Sequence, residues 1–414
     1  MRAPVVANLR GALHWPVLVP AMLLLVFGVV VLSGLEVLVA GKWLGGWHLR
    51  QITGIVVGAA AGAVVLLVPY KSLVSRAYLF YAFNLVLLAL VLVTGPMRNE
   101  SQRWLTLFGF DFQPSELMKL TLVLTLARFI RFRSSYKTFR GLWAPFGLTL
   151  LPMALILKQP DLGTSLLCIP ILFTMLFVAG ARARHLATIV LLGTLAMFPV
   201  YHGLKDYQRS RIDGFLAQIG LADLGGADQT EADRTPPEKA GGKAGRKVDP
   251  KARAKADRKA LENKENYQVT KSKVAIGSGG LGGVGHGRGE EHALYWVPER
   301  HTDFIFAGAA NEWGLMGSLA VLALFGWLLA AILGVALRQR DPAGRLICIG
   351  VFALFGFQAF INIAMTIGLM PVTGLTLPFM SHGRSSVVVS ILAVALVCNV
   401  AARPSYEFGR GDFD

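Results

Sequence analysis

Residues 296–306 read Trp296-Val297-Pro298-Glu299-Arg300-His301-Thr302-Asp303-Phe304-Ile305-Phe306, and an apolar run continues from there to about residue 337. Two carboxylates, a guanidinium, an imidazole and a hydroxyl therefore stand at the start of a segment long enough to cross a bilayer. Charged side chains at the edge of a membrane span are costly to desolvate, so they usually have a functional role there.

The composition is that of an integral membrane protein. Of 414 residues, 54% are hydrophobic and 16% are charged, and the mean hydropathy is +0.53. A soluble domain would carry about a quarter charged residues. Because the apolar runs lack the alternating polarity of barrel strands, they predict helices. They predict about ten spans, near residues 15–33, 52–69, 77–94, 114–131, 142–157, 162–180, 184–202, 304–337, 345–369 and 385–402.

The charges of the short loops predict the orientation of these spans. Lysine and arginine accumulate in alternate loops, which the positive-inside rule assigns to the cytoplasm. These inner residues are Arg2, Arg10, Lys71, Arg76, Arg131, Arg133, Lys137, Arg140, Arg182, Arg184, Arg338, Arg340, Arg345 and Arg403. The short outer loops hold Lys42, Arg50, Arg98, Arg103, Lys158 and Arg384. Both termini are therefore predicted to be cytoplasmic. The positive-inside bias and the attraction of basic residues to anionic lipid headgroups both predict a basic chain. The net charge of +16 therefore does not indicate nucleic-acid binding, and we expect no nucleic-acid partner.

The predicted fold class is an all-α polytopic membrane protein of about ten transmembrane helices, with a large extracytoplasmic loop between helices 7 and 8. Three regions follow: an N-terminal membrane bundle at 1–203, the extracytoplasmic loop at 204–300, and a C-terminal membrane bundle at 301–414. Within the loop, residues 221–265 are rich in Ala, Gly and charged residues and poor in large apolar ones. That composition predicts a solvated, disordered spacer rather than a binding arm.

Two further features point away from a secreted, disulfide-stapled protein. The first apolar run lacks a small-x-small cleavage site and more spans follow it, so we expect no cleavable signal peptide. Cys168, Cys348 and Cys398 all lie within apolar runs without metal-ligand spacing, so we expect buried free thiols.

Four polar groups of residues share the predicted outer side, and that shared side is the main argument for a site. They are residues 100–104 together with Gln113 to Lys119, the helix break from Lys158 to Thr164, the opening stretch, and the loop from Pro371 to Ser386. A glycine-rich run at 277–283 precedes the opening stretch. Its backbone could approach a ligand, or it could be a flexible re-entrant loop.

The chemistry of these groups suits a lipid with an anionic head. Glu116 and Lys119 are three residues apart on one helix face, where they form either a structural ion pair or part of a polar cavity. A helix break that carries Lys158 and Asp161 at membrane depth is tolerated where it lines protein or a water-filled cavity. Basic groups near a carboxylate at the outer leaflet favour a phosphate or pyrophosphate ester of a lipid as ligand.

Taken together, the motifs resemble the SEDS family of cell-wall glycosyltransferases, and its RodA branch more than its FtsW branch. The matching pieces follow the family order along nearly the whole chain. They are Gln102-Arg103-Trp104, Gln113-Pro114-Ser115-Glu116 with Lys119, Gln159 to Thr164, Ser272 to Leu281, Pro298-Glu299 with His301 to Phe306, and Pro371 to Ser386.

The resemblance implies a ten-span enzyme of the bacterial cytoplasmic membrane that polymerises lipid II into glycan strands on the outer face, for cell elongation and shape. Undecaprenyl pyrophosphate would be the leaving group, and a divalent cation, Mg²⁺ or Mn²⁺, would assist. A class B penicillin-binding protein, whose transpeptidase crosslinks the strand, is the implied partner within the elongation machinery. The family's essential aspartate falls on Asp303, and its in-membrane polar pair falls on Glu116 and Lys119.

Glycosyl transfer needs a base for the attacking hydroxyl and a positive group or metal for the departing pyrophosphate. Asp303 is the predicted base, and Glu299 is the second choice, as metal ligand or base-tuning neighbour. Two bland alternatives exist for Asp303: a carboxylate stabilised by a helix N-terminus, or a salt-bridge partner of Arg300. His301 is interpreted as a hydrogen-bonding support. The predicted substrate contacts are Glu116, Lys119, Arg103, Arg211, Lys158, Asp161, Ser381 and Arg384.

The chain also departs from the family pattern. Arg384 stands where the family usually has glycine, so it either adds a phosphate contact or blocks a close backbone approach. His382 stands where the family commonly has tyrosine or another aromatic residue. Of the family's two consecutive acids after the catalytic motif, only Glu312 is kept. Two other functions stay open: a flippase that moves lipid II past the Glu116/Lys119 pair, and a non-catalytic scaffold for the penicillin-binding protein.

Overall fold

The computed structural model describes residues 13–40, 46–96, 102–107, 110–133, 135–203, 267–288 and 299–403. The predicted spacer at 221–265, Arg211 and the first three residues of the opening stretch lie outside these ranges.

Each predicted span coincides with a helix, which confirms the all-α polytopic class. The described residues form α1 (Trp15–Ala40), α2 (Trp47–Leu67), α3 (Tyr70–Ser75), α4 (Ala77–Thr94), α5 (Pro114–Arg131), α6 (Trp143–Lys158), α7 (Leu162–Val178), α8 (Ala183–Gly203), α9 (267–278), α10 (Ile305–Arg338), α11 (Pro342–Thr366) and α12 (Arg384–Ala401). Among the described residues seven helices are long and apolar enough to cross a membrane: α1, α2, α4, α6 with its preceding turn, α10, α11 and α12. The count of ten crossings therefore stays a prediction.

Several short elements escaped the sequence-based predictions. A two-stranded antiparallel hairpin, β1 (Leu105–Leu107) and β2 (Phe110–Phe112), precedes α5, with Thr106 paired to Asp111. The short helix α3 and two 3₁₀ turns, at Ser135–Lys137 and Arg140–Leu142, lie between the predicted spans. Elements of three to six residues carry too little periodicity to be seen in a sequence dominated by long apolar runs.

Polar contacts divide the bundle into two ends. At one end, Asp341 accepts bonds from Tyr70 Oη at 3.0 Å and Gly344 N at 3.3 Å, and lies 3.1 Å from Arg131 Nη2. Asn399 Nδ2 donates to Val68 O at 2.6 Å at the same end. We call this the basic end, since the predicted inner arginines gather there. The hairpin, the break between α6 and α7 and the start of α10 meet at the opposite end, the site end.

Glycines let the outer helix α2 approach the central helix α12. A Cβ at Gly54 would lie 3.2 Å from Arg384 Cα, and one at Gly58 would lie 2.8 Å from Ile391 Cδ1. Small residues four apart allow close backbone packing between membrane helices, where dispersion rather than the hydrophobic effect drives association. The approach places the first turn of α12 beside the start of α2, at the site end.

Helix α10 is broken at Gly314, and the glycine-rich run fills the break. Gly314 adopts φ +63°, ψ −156°, so the helix cannot continue its hydrogen-bond ladder through this residue. Val284 N donates to Asn311 O at 3.0 Å, and Leu315 N donates to Gly280 O at 2.9 Å. The run therefore supplies the backbone partners that an unwound turn at membrane depth requires.

We expect Gly314→Ala to destabilise the protein. The conformation of Gly314 is nearly exclusive to glycine and costs a side-chain-bearing residue about 1–3 kcal/mol. An added Cβ would also lie 2.4 Å from Gly283 N, which is closer than real Cβ atoms come. A lower thermal midpoint in detergent would show the effect. Gly326→Ala is the matched control, because no atom lies within 4 Å of its Cβ position in the same helix. Equal midpoints for both variants would contradict the expectation.

Candidate functional site

Asp303 lies in a tight turn at the site end, immediately before the first turn of α10. Asp303 N donates to Glu299 O at 3.0 Å, and Thr302 Oγ1 donates to Glu299 Oε2 at 3.2 Å. Glu299 itself has φ +55° and an exposed side chain. The turn thus presents the two carboxylates of the opening stretch in different surroundings, with Asp303 the less exposed of the two.

A second segment holds the main chain of this turn. We call residues 371–383, between α11 and α12, the PVTG loop. Ser381 Oγ donates to Thr302 O at 2.6 Å, and His382 N donates to His301 O at 2.8 Å. From α11, Asn362 Nδ2 donates to Asp303 O at 2.9 Å. Three consecutive carbonyls of the opening stretch therefore each accept a hydrogen bond from this side.

The carboxylate of Asp303 lies against the PVTG loop at Gly374. A Cβ built on Gly374 would lie 3.7 Å from Asp303 Oδ2, and Gly374 has φ +72°. Glycine at this position thus allows the loop backbone to turn where the carboxylate approaches it. The structure brings together the predicted residues Asp303 and Ser381, which are 78 positions apart in the sequence.

Glu116 and Lys119 form a buried ion pair. Their side chains are 7% and 2% exposed, and Lys119 Nζ lies 2.9 Å from Glu116 Oε1 and 2.8 Å from Oε2. Lys119 Nζ also donates to Gln358 Oε1 at 3.2 Å, and Gln358 Nε2 donates to Thr376 O at 2.8 Å. The pair is therefore connected to the PVTG loop through one glutamine of α11.

Asp161 caps the helix that follows the break. Its Oδ1 accepts a bond from Thr164 N at 3.2 Å, and its Oδ2 accepts bonds from Ser115 Oγ and Gln113 Nε2, both at 3.0 Å. A capping carboxylate is favoured by the free amides and the dipole of a helix N-terminus. These bonds tie the α6–α7 break to the first turn of α5.

The predicted basic contacts occupy different places around this core. Arg103 Nε donates to Gln159 O at 3.0 Å and Arg103 Nη2 donates to Pro160 O, so this guanidinium binds the carbonyls that end α6. Arg384 Nη2 lies 3.3 Å from Asp111 Oδ2 of the hairpin. Lys158 is exposed. The assignment of these three side chains to substrate stays a prediction.

Histidines and a tryptophan surround the turn on the α2 side. The ring of His301 stacks on Trp47, with centroids 4.2 Å apart and planes 4° from parallel. His382 lies with its ring centroid 5.6 Å from that of His301. Burial lowers the pKa of His301, and burial together with the nearby His301, Arg50 and Arg384 lowers the pKa of His382 to about 4.

The lowered pKa of His382 predicts how stability changes with pH. The pKa of histidine in an unfolded chain is about 6.5, which is higher than the pKa of His382 in the folded protein. The unfolded chain therefore binds the proton first as the pH falls. Stability should therefore be fully present above about pH 6.5 and be lost progressively as the pH falls towards 4. We expect His382→Phe to lessen the fall of the thermal midpoint between pH 6.5 and 4.5. An unchanged pH dependence in the variant would contradict this expectation.

The sequence-based predictions missed several residues of this region. Gln51, which is fully buried in α2, donates to Ser381 O at 2.9 Å and accepts a bond from Gly383 N at 3.2 Å. Gln358 and Asn362 on α11 were missed as well. The available signal was an amide side chain within an otherwise apolar run, since a buried amide needs hydrogen-bond partners.

The described side chains do not form a complete metal-binding set. Among the described ranges, no three His, Cys, Asp or Glu side chains are grouped so that they could hold a metal ion. Asp303 offers one carboxylate near the PVTG loop, while the Glu299 side chain is exposed at the surface of the turn.

The sequence of this chain is similar to the sequences of proteins named for peptidoglycan synthesis. The sequence matches the family model FTSW_RODA_SPOVE, described as "Cell cycle protein", over residues 15–223 and 250–406. It is 32% identical to a probable peptidoglycan glycosyltransferase FtsW of Geobacter metallireducens, covering 94% of each chain. It is also 32% identical to the peptidoglycan glycosyltransferase MrdB of Escherichia coli K12, covering 92% of each chain.

The fold of this chain is also similar to solved structures of proteins from peptidoglycan synthesis and rod-shape determination. A chain in a structure described as "Structural coordination of polymerization and crosslinking by a peptidoglycan synthase complex" matches with a TM-score of 0.71 at 29% identity, over 94% of this chain and 97% of that one. The rod shape determining protein RodA of Thermus thermophilus matches with a TM-score of 0.62 at 27% identity, over 95% and 98% of the two chains.

Proposed function

This chain belongs to the FtsW/RodA/SpoVE family, also known as SEDS, and we propose that it is a peptidoglycan glycosyltransferase that polymerises lipid II on the outer face of the cytoplasmic membrane. The observation that carries the proposal is the placement of Asp303. Its carbonyl accepts a bond from Asn362 of α11, and the two preceding carbonyls accept bonds from the PVTG loop. Its carboxylate lies at the site end of the bundle, next to Gly374.

In the proposed reaction Asp303 removes the proton of the attacking sugar hydroxyl, and the hydroxyl oxygen bonds to the anomeric carbon of the donor sugar. The bond from that carbon to the pyrophosphate oxygen breaks, and the pyrophosphate leaves with its lipid. A base held rigidly at the reacting hydroxyl supplies part of the barrier reduction, and its fixed orientation supplies more. The three hydrogen bonds to the carbonyls of residues 301–303 support this role, because they limit the motion of the turn that carries the carboxylate.

The leaving pyrophosphate needs positive charge near the same end. Lys119 is the buried cation, paired with Glu116 and connected to the PVTG loop through Gln358. Arg384 lies at the start of α12, beside the hairpin. We propose that these two cations attract the pyrophosphate towards Asp303. A divalent cation held mainly by phosphate oxygens and a single carboxylate also stays a proposal.

We further propose a role in cell elongation, with a class B penicillin-binding protein as partner. The motif content resembles the RodA branch, although relatives named FtsW and MrdB match with equal identity. The matching complex couples polymerisation with crosslinking, which supports a transpeptidase partner. Growth of rod-shaped cells depleted of either the elongation or the division polymerase, with this chain supplied instead, would distinguish the two roles.

The decisive experiment is polymerisation of lipid II by the purified chain with its partner transpeptidase. We expect glycan strands that a muramidase digests and that transpeptidase inhibitors do not prevent. A preparation that binds its partner and is monodisperse, yet makes no glycan, would contradict the proposed enzyme. Movement of labelled lipid II across liposomes by the same preparation would then favour the flippase.

A further inference from the structure

Two buried amides on α11 face the candidate site. Gln358 and Asn362 are four residues apart, so their side chains lie on one face of the helix, one turn from each other. They are 2% and 0% exposed. Burying an amide among apolar residues costs free energy unless its polar atoms are bonded, so their partners are informative.

The two amides bind consecutive carbonyls of the PVTG loop. Asn362 Nδ2 donates to Leu375 O at 2.6 Å, and Gln358 Nε2 donates to Thr376 O at 2.8 Å. Gln358 Nε2 also lies 3.3 Å from Thr376 Oγ1. The pair therefore holds two successive peptide groups of the loop, next to Gly374 and the carboxylate of Asp303.

Each amide also contacts a candidate site residue: Asn362 bonds to the main chain of Asp303, and Gln358 bonds to Lys119. Asn362 Nδ2 shares its donors between Leu375 O and Asp303 O, the latter at 2.9 Å. Gln358 Oε1 accepts a bond from Lys119 Nζ at 3.2 Å. One face of α11 thus connects the Glu116–Lys119 ion pair, the PVTG loop and the main chain of Asp303.

We propose that Gln358 and Asn362 act as positioning residues that set the location of Asp303 relative to the Lys119 ammonium. Neither residue needs to touch the substrate for this role. Helix α11 is a long and largely buried helix, and positioning on a helix holds reacting groups more exactly than positioning on a loop alone. The inference rests on the proposed glycosyltransferase activity.

Amide side chains suit positions 358 and 362 because an amide can both donate and accept hydrogen bonds. Each side chain donates to a loop carbonyl, and Gln358 also accepts a bond from the Lys119 ammonium. An acid in place of Asn362 would turn a carboxylate oxygen towards two carbonyls, and an apolar residue would leave those carbonyls without this donor. In both cases the turn at Asp303 gains freedom.

The test is steady-state polymerisation by Asn362→Ala in complex with its partner. Since a displacement of about 1 Å at a reacting group costs about 100-fold in rate, we expect kcat to fall by about that factor. We expect KM for lipid II to change by less than about threefold, because the variant keeps all the groups proposed to bind substrate.

Asn399→Ala is the matched control. Asn399 is also a fully buried amide that donates to two main-chain carbonyls, those of Val65 and Val68, but it lies at the basic end. Asn399 Oδ1 also accepts bonds from Tyr70 N and Arg403 Nη1. We therefore expect Asn399→Ala to lower the thermal midpoint at least as much as Asn362→Ala does, while kcat per folded molecule stays near the unsubstituted value. Equal kcat losses in the two variants would assign Asn362 a merely structural role and overturn the proposal.

Coupling between the two amides provides the second measurement. If both act through one arrangement, Gln358→Met combined with Asn362→Ala should lose little more kcat than the more damaging single change. Independent, multiplicative losses would overturn the joint role. A wild-type complex that makes no glycan would instead overturn the proposed function, whereas an active wild type with a fully active Asn362→Ala would overturn only this inference.

Discussion

Replacing Asp303 with asparagine is expected to lower glycan polymerisation by about 10²- to 10⁴-fold, the usual contribution of a positioned general base. The substitution keeps the size of the side chain and removes its capacity to take a proton. The hydrogen bonds to the carbonyls of residues 301–303 involve main-chain atoms, which asparagine retains. The variant should therefore fold, bind its partner and fail in the assay with lipid II.

Glu299→Gln separates the two carboxylates of the opening stretch. The Glu299 side chain is exposed and bonds to Thr302 Oγ1, so its neutralisation should leave polymerisation within a few-fold of normal. If Asp303 has only a structural role, as a charge at a helix N-terminus or as an ion-pair partner of Arg300, Asp303→Asn should have a lower thermal midpoint and retain its activity. Normal glycan yield from Asp303→Asn would remove Asp303 as the base.

The largest effect on stability is expected from Lys119→Met. Methionine fills the volume of the lysine stem but leaves the carboxylate of Glu116, which is 7% exposed, without its ammonium. Breaking a buried ion pair by removing one partner costs about 3–5 kcal/mol, because the remaining charge is uncompensated. Unfolding in detergent followed by circular dichroism would measure the loss.

Two variants control this measurement. Combining Lys119→Met with Glu116→Gln removes both charges and should recover most of the loss, since a neutral buried pair avoids the desolvation cost. Arg384→Met breaks the partly buried pair with Asp111, in which the Arg384 and Asp111 side chains are 20% and 25% exposed. Because this pair keeps more contact with solvent than the Glu116–Lys119 pair, its loss should cost about 1 kcal/mol. A loss from Lys119→Met as small as that from Arg384→Met would show that Glu116 finds other compensation.

Long-range apolar patterning made the architecture predictable. Each predicted span lies on a helix because a run of about twenty apolar residues has one favourable arrangement in a bilayer, with its backbone bonded internally. The break from Lys158 to Asp161 was also predictable, since polar residues with a proline interrupt the pattern. The same reasoning made Asp303 a candidate base, because a charged cluster beside a span is conspicuous at any distance from its partners.

Other predictions needed the tertiary structure. The sequence predicts that Arg103 contacts substrate, and that assignment stays a prediction. The structure shows in addition that its guanidinium binds the carbonyls of Gln159 and Pro160, partners that no local signal specifies. The glycine-rich run offered a choice between a ligand cradle and a flexible loop. The structure shows it bonded across the break in α10, because the partners of an unwound turn are set by whichever segment packs against it.

The sequence by itself determined that this protein spans a membrane, which segments form its helices and which charged residues are exceptional. Those properties follow from composition and periodicity, which act along the chain. Only the tertiary structure decided that Asn362 and Ser381 donate to the main chain of the Asp303 turn. It also decided that Gln358 connects Lys119 to the PVTG loop. Hydrogen bonds between residues far apart in sequence depend on how helices pack, and packing is determined by the whole bundle rather than by any one segment.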